Sequence, residues 1–219
     1  MQSLEELPFV ARHVALDFVN TAEERGHPKA GDVLRTPADL RLWGQRYGLL
    51  SPDVREDRSE LRRALGVREL LYGVFLARVQ GLALAPADLA ALSGLAAAAY
   101  RAAALAPTAE GDITWHWPPS QLSTIRHVVV TAAVNLLARD PGPRLKQCPG
   151  DLCGWFFLDT TKRGNRRWCS MSECGQEAKI ARRRALPSHQ GNSSSQPTEP
   201  QGGAPSASHA ALASGRISR

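Results

Sequence analysis

The chain's only four cysteines, Cys148, Cys153, Cys169 and Cys174, form two close pairs, with four residues inside each pair and 15 between the pairs. Two close pairs around a short insert are the spacing of a four-thiolate zinc site. Each pair supplies two ligands from one turn, and the insert folds back to bring the pairs into a tetrahedron. Iron–sulfur ligation by four thiolates is the chemical alternative. Two disulfides would suit a short secreted chain rather than this one. The start, MQSLEELPFV, has acidic residues and no basic lead into an apolar run, unlike a secretory signal. No stretch approaches the roughly 18–20 apolar residues of a membrane span. The expectation is a soluble, cytoplasmic protein with one structural zinc ion and no membrane contact.

The insert predicts its own fold. Trp155-Phe156-Phe157-Leu158 has high strand propensity. Thr160–Asn165 is polar and ends in the turn signal Gly164-Asn165, after which Arg166-Arg167-Trp168 is expected to return as a second strand. Ser170 and Glu173 have the spacing of a capping box. A helix is therefore expected to begin there and run to about Leu186, before Pro187. Knuckle, hairpin and helix together resemble a treble clef. So small a module cannot build a core alone, and zinc is expected to supply most of its folding free energy. Phe156, Phe157 and Trp168 read first as packing residues.

The positive charge is concentrated in the same place. Residues 1–143 carry 15 Arg and Lys against 16 Asp and Glu, whereas residues 144–184 carry ten against four. Such a patch is the electrostatic footprint of a polyanion partner. Lys162, Arg163, Arg166 and Arg167 lie on the expected hairpin, and Lys179, Arg182, Arg183 and Arg184 on the expected helix. Two basic surfaces flanking one zinc are suited to gripping the phosphates of double-stranded DNA.

Upstream, the pattern is mainly α-helical. A short helix fits His13–Thr21. Thr36-Pro37-Ala38-Asp39 is a helix start, with Thr36 as cap. Longer helices fit Asp57–Gln80, a stretch from Pro86 through Tyr100, and Ser120–Arg139. Between the last two, Ile113, Trp115 and Trp117 alternate with polar residues as in a short strand, and both tryptophans read as core. Asp140-Pro141-Gly142-Pro143 marks a break. The organisation expected is a helical domain over 1–143, a zinc finger over 144–186 and a disordered tail over 187–219, where large apolar side chains are nearly absent.

The cysteine segment resembles the CGNR zinc finger. The resemblance rests on Cys148, Cys153 with Trp155-Phe156-Phe157-Leu158-Asp159, Arg166-Arg167-Trp168-Cys169-Ser170-Met171, and Cys174-Gly175. The family's closing Cys-Gly-Asn-Arg stands here as Cys174-Gly175-Gln176-Glu177, so its last two residues differ. Residues 13–21 and 34–40 are similar to the helical ABATE domain that usually precedes this finger. The resemblance implies a bacterial stress-responsive transcription regulator with a DNA-binding finger. In that reading the N-terminal domain senses a small-molecule effector or a partner, with Asp17 and Asn20 as candidate ligand contacts and His116 beside them. Asp17 and Asn20 equally fit a purely structural role, capping or bridging helices. A homodimer is expected by analogy.

Two other functional classes fit less well. A zinc-stabilised protein-interaction adaptor would use the same basic face on an acidic protein. An enzyme is disfavoured: four cysteines close the metal's coordination, and no metalloprotease, phosphate-loop or nucleophile-elbow motif is present.

Overall fold

The computed structural model describes residues 4–23, 25 and 31–185. The expected tail over 187–219 lies outside these residues. Among the described residues the fold is mainly helical, with six α-helices and three two-stranded antiparallel ladders.

A short helix, α1 (Val14–Val19), sits at the centre. Five of its six residues, Ala15 to Val19, are buried. Helix α2 (Pro37–Arg46) starts where the Thr-Pro signal places it. The Thr36 hydroxyl accepts from the Asp39 amide at 3.2 Å, and the Asp39 carboxylate accepts from the Thr36 amide at 2.7 Å. That reciprocal pair satisfies two orphan donors of the first turn. Helix α3 (Arg58–Val79) is capped by the Asp57 carboxylate, which accepts from the amides of Ser59 and Glu60. It buries Leu61, Ala64, Val67, Leu71, Val74 and Phe75 at three- and four-residue spacing, the inward stripe of an amphipathic helix. Helices α4 (Pro86–Arg101) and α5 (Thr124–Ala138) pack side by side. Helix α5 begins four residues after the expected start, because residues 121–123 form a turn held by Pro118, whose carbonyl accepts from Gln121 and from the Thr124 hydroxyl.

Two strands join at residues 22–23 and 31–32, as β1 (Ala22–Glu23) and β2 (Gly31–Asp32). The expected strand near residue 113 is β4 (Ile113–His116), paired with β3 (Ala104–Pro107), which sequence patterning did not reveal. Trp115 is not core. It is 45% exposed and leans edge-on against Tyr100 at 5.2 Å. All four residues of β4 and three of the four on β3 are exposed, so the hairpin lies at the surface. Trp117 is better placed, donating its indole N–H to the Ala99 carbonyl at 2.8 Å.

After a single 3-10 turn at Gly142–Arg144, β5 (Leu145–Gln147) pairs with β6 (Phe156–Leu158), and α6 (Cys174–Ala185) ends the described chain. One hydrophobic core runs from α1, α2 and α3 into β5 and β6 without interruption. Phe156 and Phe157 are fully buried, and the Phe156 ring meets Tyr72 at 5.5 Å and Phe75 at 6.0 Å on α3. No described helix is long and apolar enough to cross a membrane.

Candidate metal centre and nucleic-acid interface

The four cysteines come together as their spacing requires. The turn after Cys148 closes when the Cys153 amide donates to the Gly150 carbonyl at 3.0 Å, and the Cys148 amide donates to the Trp155 carbonyl at 2.7 Å. Gly150 is needed for closeness: a Cβ there would stand 3.2 Å from both Cys153 Cβ and Cys174 Sγ. Cys174 occupies the first turn of α6. All four sulfurs lie within 4.8 Å of one another. Cys153 and Cys169 sulfurs are 3.5 Å apart, and those of Cys169 and Cys174 3.6 Å. These separations are far longer than the ~2.05 Å of a disulfide. They match the roughly 3.8 Å edge of a tetrahedron built on zinc–sulfur bonds of about 2.3 Å. Hydrogen bonding to Cys148, and burial after it, push Cys153 and Cys169 up as thiols, and burial does the same at Cys174. A central dication supplies the positive charge that four thiolates need at this distance. The donor set therefore fits one zinc ion, with Cys148 and Cys169 buried and the coordination closed.

The loop between the pairs differs from expectation. Arg166-Arg167-Trp168 is not a strand, and the hairpin partner of β6 is the upstream β5, with Lys146 opposite Phe157. The reason is a buried hub at Asp159. Its carboxylate accepts from Lys146 Nζ at 2.8 Å, the Arg166 amide at 2.8 Å, the Thr161 amide at 3.0 Å and the Thr161 hydroxyl at 2.6 Å. Burial works to raise this carboxyl, but the bonds from Lys146, Thr161 and Arg166 outweigh it and hold it below the usual range. Lys146 also donates to the carbonyls of Gly164 and Arg166. Backbone groups that would have formed a ladder are thus tied to side chains. Similarly, α6 starts at Cys174 rather than at Ser170. Residues 171–173 form a turn, and the Ser170 hydroxyl meets that of Ser172 instead of capping a helix.

The basic residues divide into two sets. Arg166 turns inward: its guanidinium donates to the carbonyls of Trp168, Leu158, Val10 and Cys169 and lies 4.3 Å from the Phe157 ring centroid. Arg144 and Lys146 are likewise bound within the loop. Lys162, Arg163, Arg167, Lys179, Arg182, Arg183 and Arg184 are exposed. None of these seven forms an ion pair among the described residues. Arg167 stacks its guanidinium over Trp168 at 5.7 Å.

Asp17 and Asn20 are 2% and 3% exposed. Asp17 accepts from the Ala11 amide at 2.9 Å and from the Tyr47 hydroxyl at 3.1 Å, and burial pushes its carboxyl up to about 6. Asn20 grips one residue of the finger twice: its amide nitrogen donates to the Phe156 carbonyl and its oxygen accepts from the Phe156 amide, both at 2.9 Å. The Leu158 amide donates to the Ala11 carbonyl at 3.1 Å. The edge of β6 away from β5 is therefore sealed by the N-terminal segment. His116 stands exposed on β4. Patterning missed this seam, because nothing local marks Asn20 as the partner of a residue 136 positions later.

Comparison with known proteins agrees with this geometry. No curated protein matches the chain. Residues 144–185 match the CGNR zinc finger model, and residues 12–140 match the ABATE model, described as "Putative stress-induced transcription regulator". The chain belongs to the ABATE family and carries a CGNR zinc finger behind its helical part.

Proposed function

We propose that the protein is a transcription regulator that meets double-stranded DNA through its zinc finger, using the exposed side of α6 and the turn around Lys162. One observation carries the reading. Beyond Ala178, every residue of α6 is exposed, and its four basic side chains are without carboxylate partners among the described residues. A short helix standing clear of the body with its cations unneutralised is suited to a phosphate backbone and to a groove.

The two sides of α6 differ in charge. Gln176, Lys179, Ile180 and Arg183 share one side and line a shallow groove with Met171. Glu177 lies on the other side, with Ala178 and Ala181, facing Asp151 and Glu173. The acidic residue that departs from the family's tetrapeptide therefore lies away from Lys179 and Arg183, on the flank it shares with Arg184. The proposal places no effector at Asp17 or Asn20, whose side-chain polar atoms are all bonded within the protein.

Fluorescence anisotropy with random-sequence duplex DNA across a salt series tests this. If six phosphates are met, log affinity falls against log salt with a slope of about −5. Stripping the metal with a chelator is expected to abolish the binding, because the thiolate cluster holds α6 in place. Failure of the zinc-loaded protein to bind at low salt would refute the reading and favour an adaptor that uses the same face on an acidic protein.

A further inference from the structure

Helix α6 poses a packing problem. It is 12 residues long, and among them only Gly175 is buried. Isolated helices shorter than about 12–15 residues are marginal in water, so such a helix needs a packing partner to be stable. Yet Ala181 and Ala185 lie exposed, and exposed Ile180 stands on the far side. Ala178, Ala181 and Ala185 recur at spacings of three and four, the seam of a helix pair, one turn beyond the metal ligand Cys174, and alanine in the seam permits close approach of two backbones.

The space beside that seam is already shaped. A cleft of about 720 Å³ runs along α6, with Leu152, Ala178 and Ala181 among its apolar lining and Asp151, Glu173 and Glu177 as its charged residues. All of its charges are negative. An occupant suited to this acidic lining is a small-faced helix carrying positive charge, and the described chain contains one: the second half of α6, with Arg182 and Arg184 flanking Ala181 and Ala185.

Charge placement along the helix sharpens this. Glu177 and Arg184 are seven residues apart, so they occupy the same flank of the seam one heptad apart. In an antiparallel pair related by a two-fold axis, like flanks face each other with their order reversed. Glu177 then meets Arg184 of the partner subunit, and Arg184 meets Glu177 of the partner subunit.

We propose that two copies of this chain associate through antiparallel pairing of their α6 helices, each seated in the cleft of the other, with two symmetric Glu177–Arg184 ion pairs. The pairing gives the second half of α6 the packing surface it lacks among the described residues. It leaves Lys179 and Arg183 on the outer side of each helix, where they can still meet phosphate, while Arg184 is taken up by the pairing.

Sedimentation equilibrium of the zinc-loaded full chain tests the interface by charge swap. Glu177→Arg alone and Arg184→Glu alone each place like charges together at both symmetric contacts and are expected to weaken self-association about tenfold or more. The double variant E177R/R184E restores the pairs with reversed polarity and is expected to return to within about threefold of the parent. An equimolar mixture of the two single variants is expected to associate more tightly than either alone. Both side chains are exposed, so zinc content and helical circular dichroism should match the parent and confirm folding. A parent protein that stays monomeric at high concentration overturns the proposal, as does a dimer that neither single variant weakens or the double variant fails to restore. Duplex binding by Lys179 and Arg183 is read separately by anisotropy, so a monomer that still binds DNA refutes the pairing alone.

Discussion

Replacing Asn20 with alanine tests the seam that joins the finger to the helical part. The side chain is buried, and its two hydrogen bonds, each 2.9 Å, are the ones that satisfy the Phe156 amide and carbonyl. Those two backbone groups point away from β5, so the ladder cannot take them over. Alanine removes both partners and leaves a space smaller than an amide beside a fully buried phenylalanine. A buried backbone group without a partner costs about 1–3 kcal/mol. Some relaxation will let water reach one of the two, so a total of about 3 kcal/mol is expected. With a urea dependence of about 2 kcal/mol per molar, the unfolding midpoint should fall by about 1.5 M.

The assay has two parts. Urea unfolding of the zinc-loaded protein gives the stability change, and zinc release to a chromogenic chelator gives the local one. Because β6 lies between the two cysteine pairs and leads directly into the hub at Asp159, loosening Phe156 should speed zinc release as well as lower the midpoint. Asn20→Asp is a stringent companion. It keeps the bond from the Phe156 amide but sets a carboxylate oxygen against the Phe156 carbonyl, so it should be no more stable than the alanine variant near neutral pH. A stability change under about 0.5 kcal/mol for Asn20→Ala would refute the edge-sealing argument. A full shift with unchanged zinc release would refute the coupling.

Two further predictions follow from buried or inward-turned charge. The Asp17 carboxyl titrates near 6 in the fold against an ordinary value of 3.8, because burial disfavours its charged form. The folded protein therefore holds that proton more tightly, and the contribution of Asp17 to stability is fully present at acid pH and falls as pH rises from about 4 to about 6, by about 3 kcal/mol. Asp17→Asn can still accept from Ala11 and donate to Tyr47, so it should remove that slope and match or exceed the parent's stability at pH 7; a slope that persists in the variant would rule out Asp17 as its source. Arg166→Ala should lower stability while leaving the salt slope of DNA binding unchanged, since its guanidinium faces four carbonyls. Arg183→Ala should do the reverse, reducing the slope by about 1 with stability intact; equal slopes for the two variants would show that the division of the basic residues is wrong.

The contrast between those two arginines shows what linear patterning reveals and what it hides. Ligand identity at Cys148, Cys153, Cys169 and Cys174 was legible because tetrahedral coordination imposes short-range spacing, and spacing is written directly in the chain. Helices α2 and α3 were legible for a related reason: a cap at Thr36 or Asp57 and an apolar stripe are local regularities. Charge density at residues 144–184 was visible too, but its accessibility was not. Arg166, Arg144 and Lys146 counted as cations toward a polyanion, whereas each is bound to carbonyls or to Asp159, and only the folded loop shows that. The same long-range chemistry replaced the expected second strand. Residues 166–168 have the composition to pair with β6, but Asp159 and Lys146 take their backbone groups first, and the edge they would have covered belongs to Asn20 and Ala11. A finger whose strand edge is completed by residues more than a hundred positions upstream is not a detachable bead. Its orientation is set by the helical core, and any change in the packing around α1 has a direct mechanical route to the cysteines and to α6.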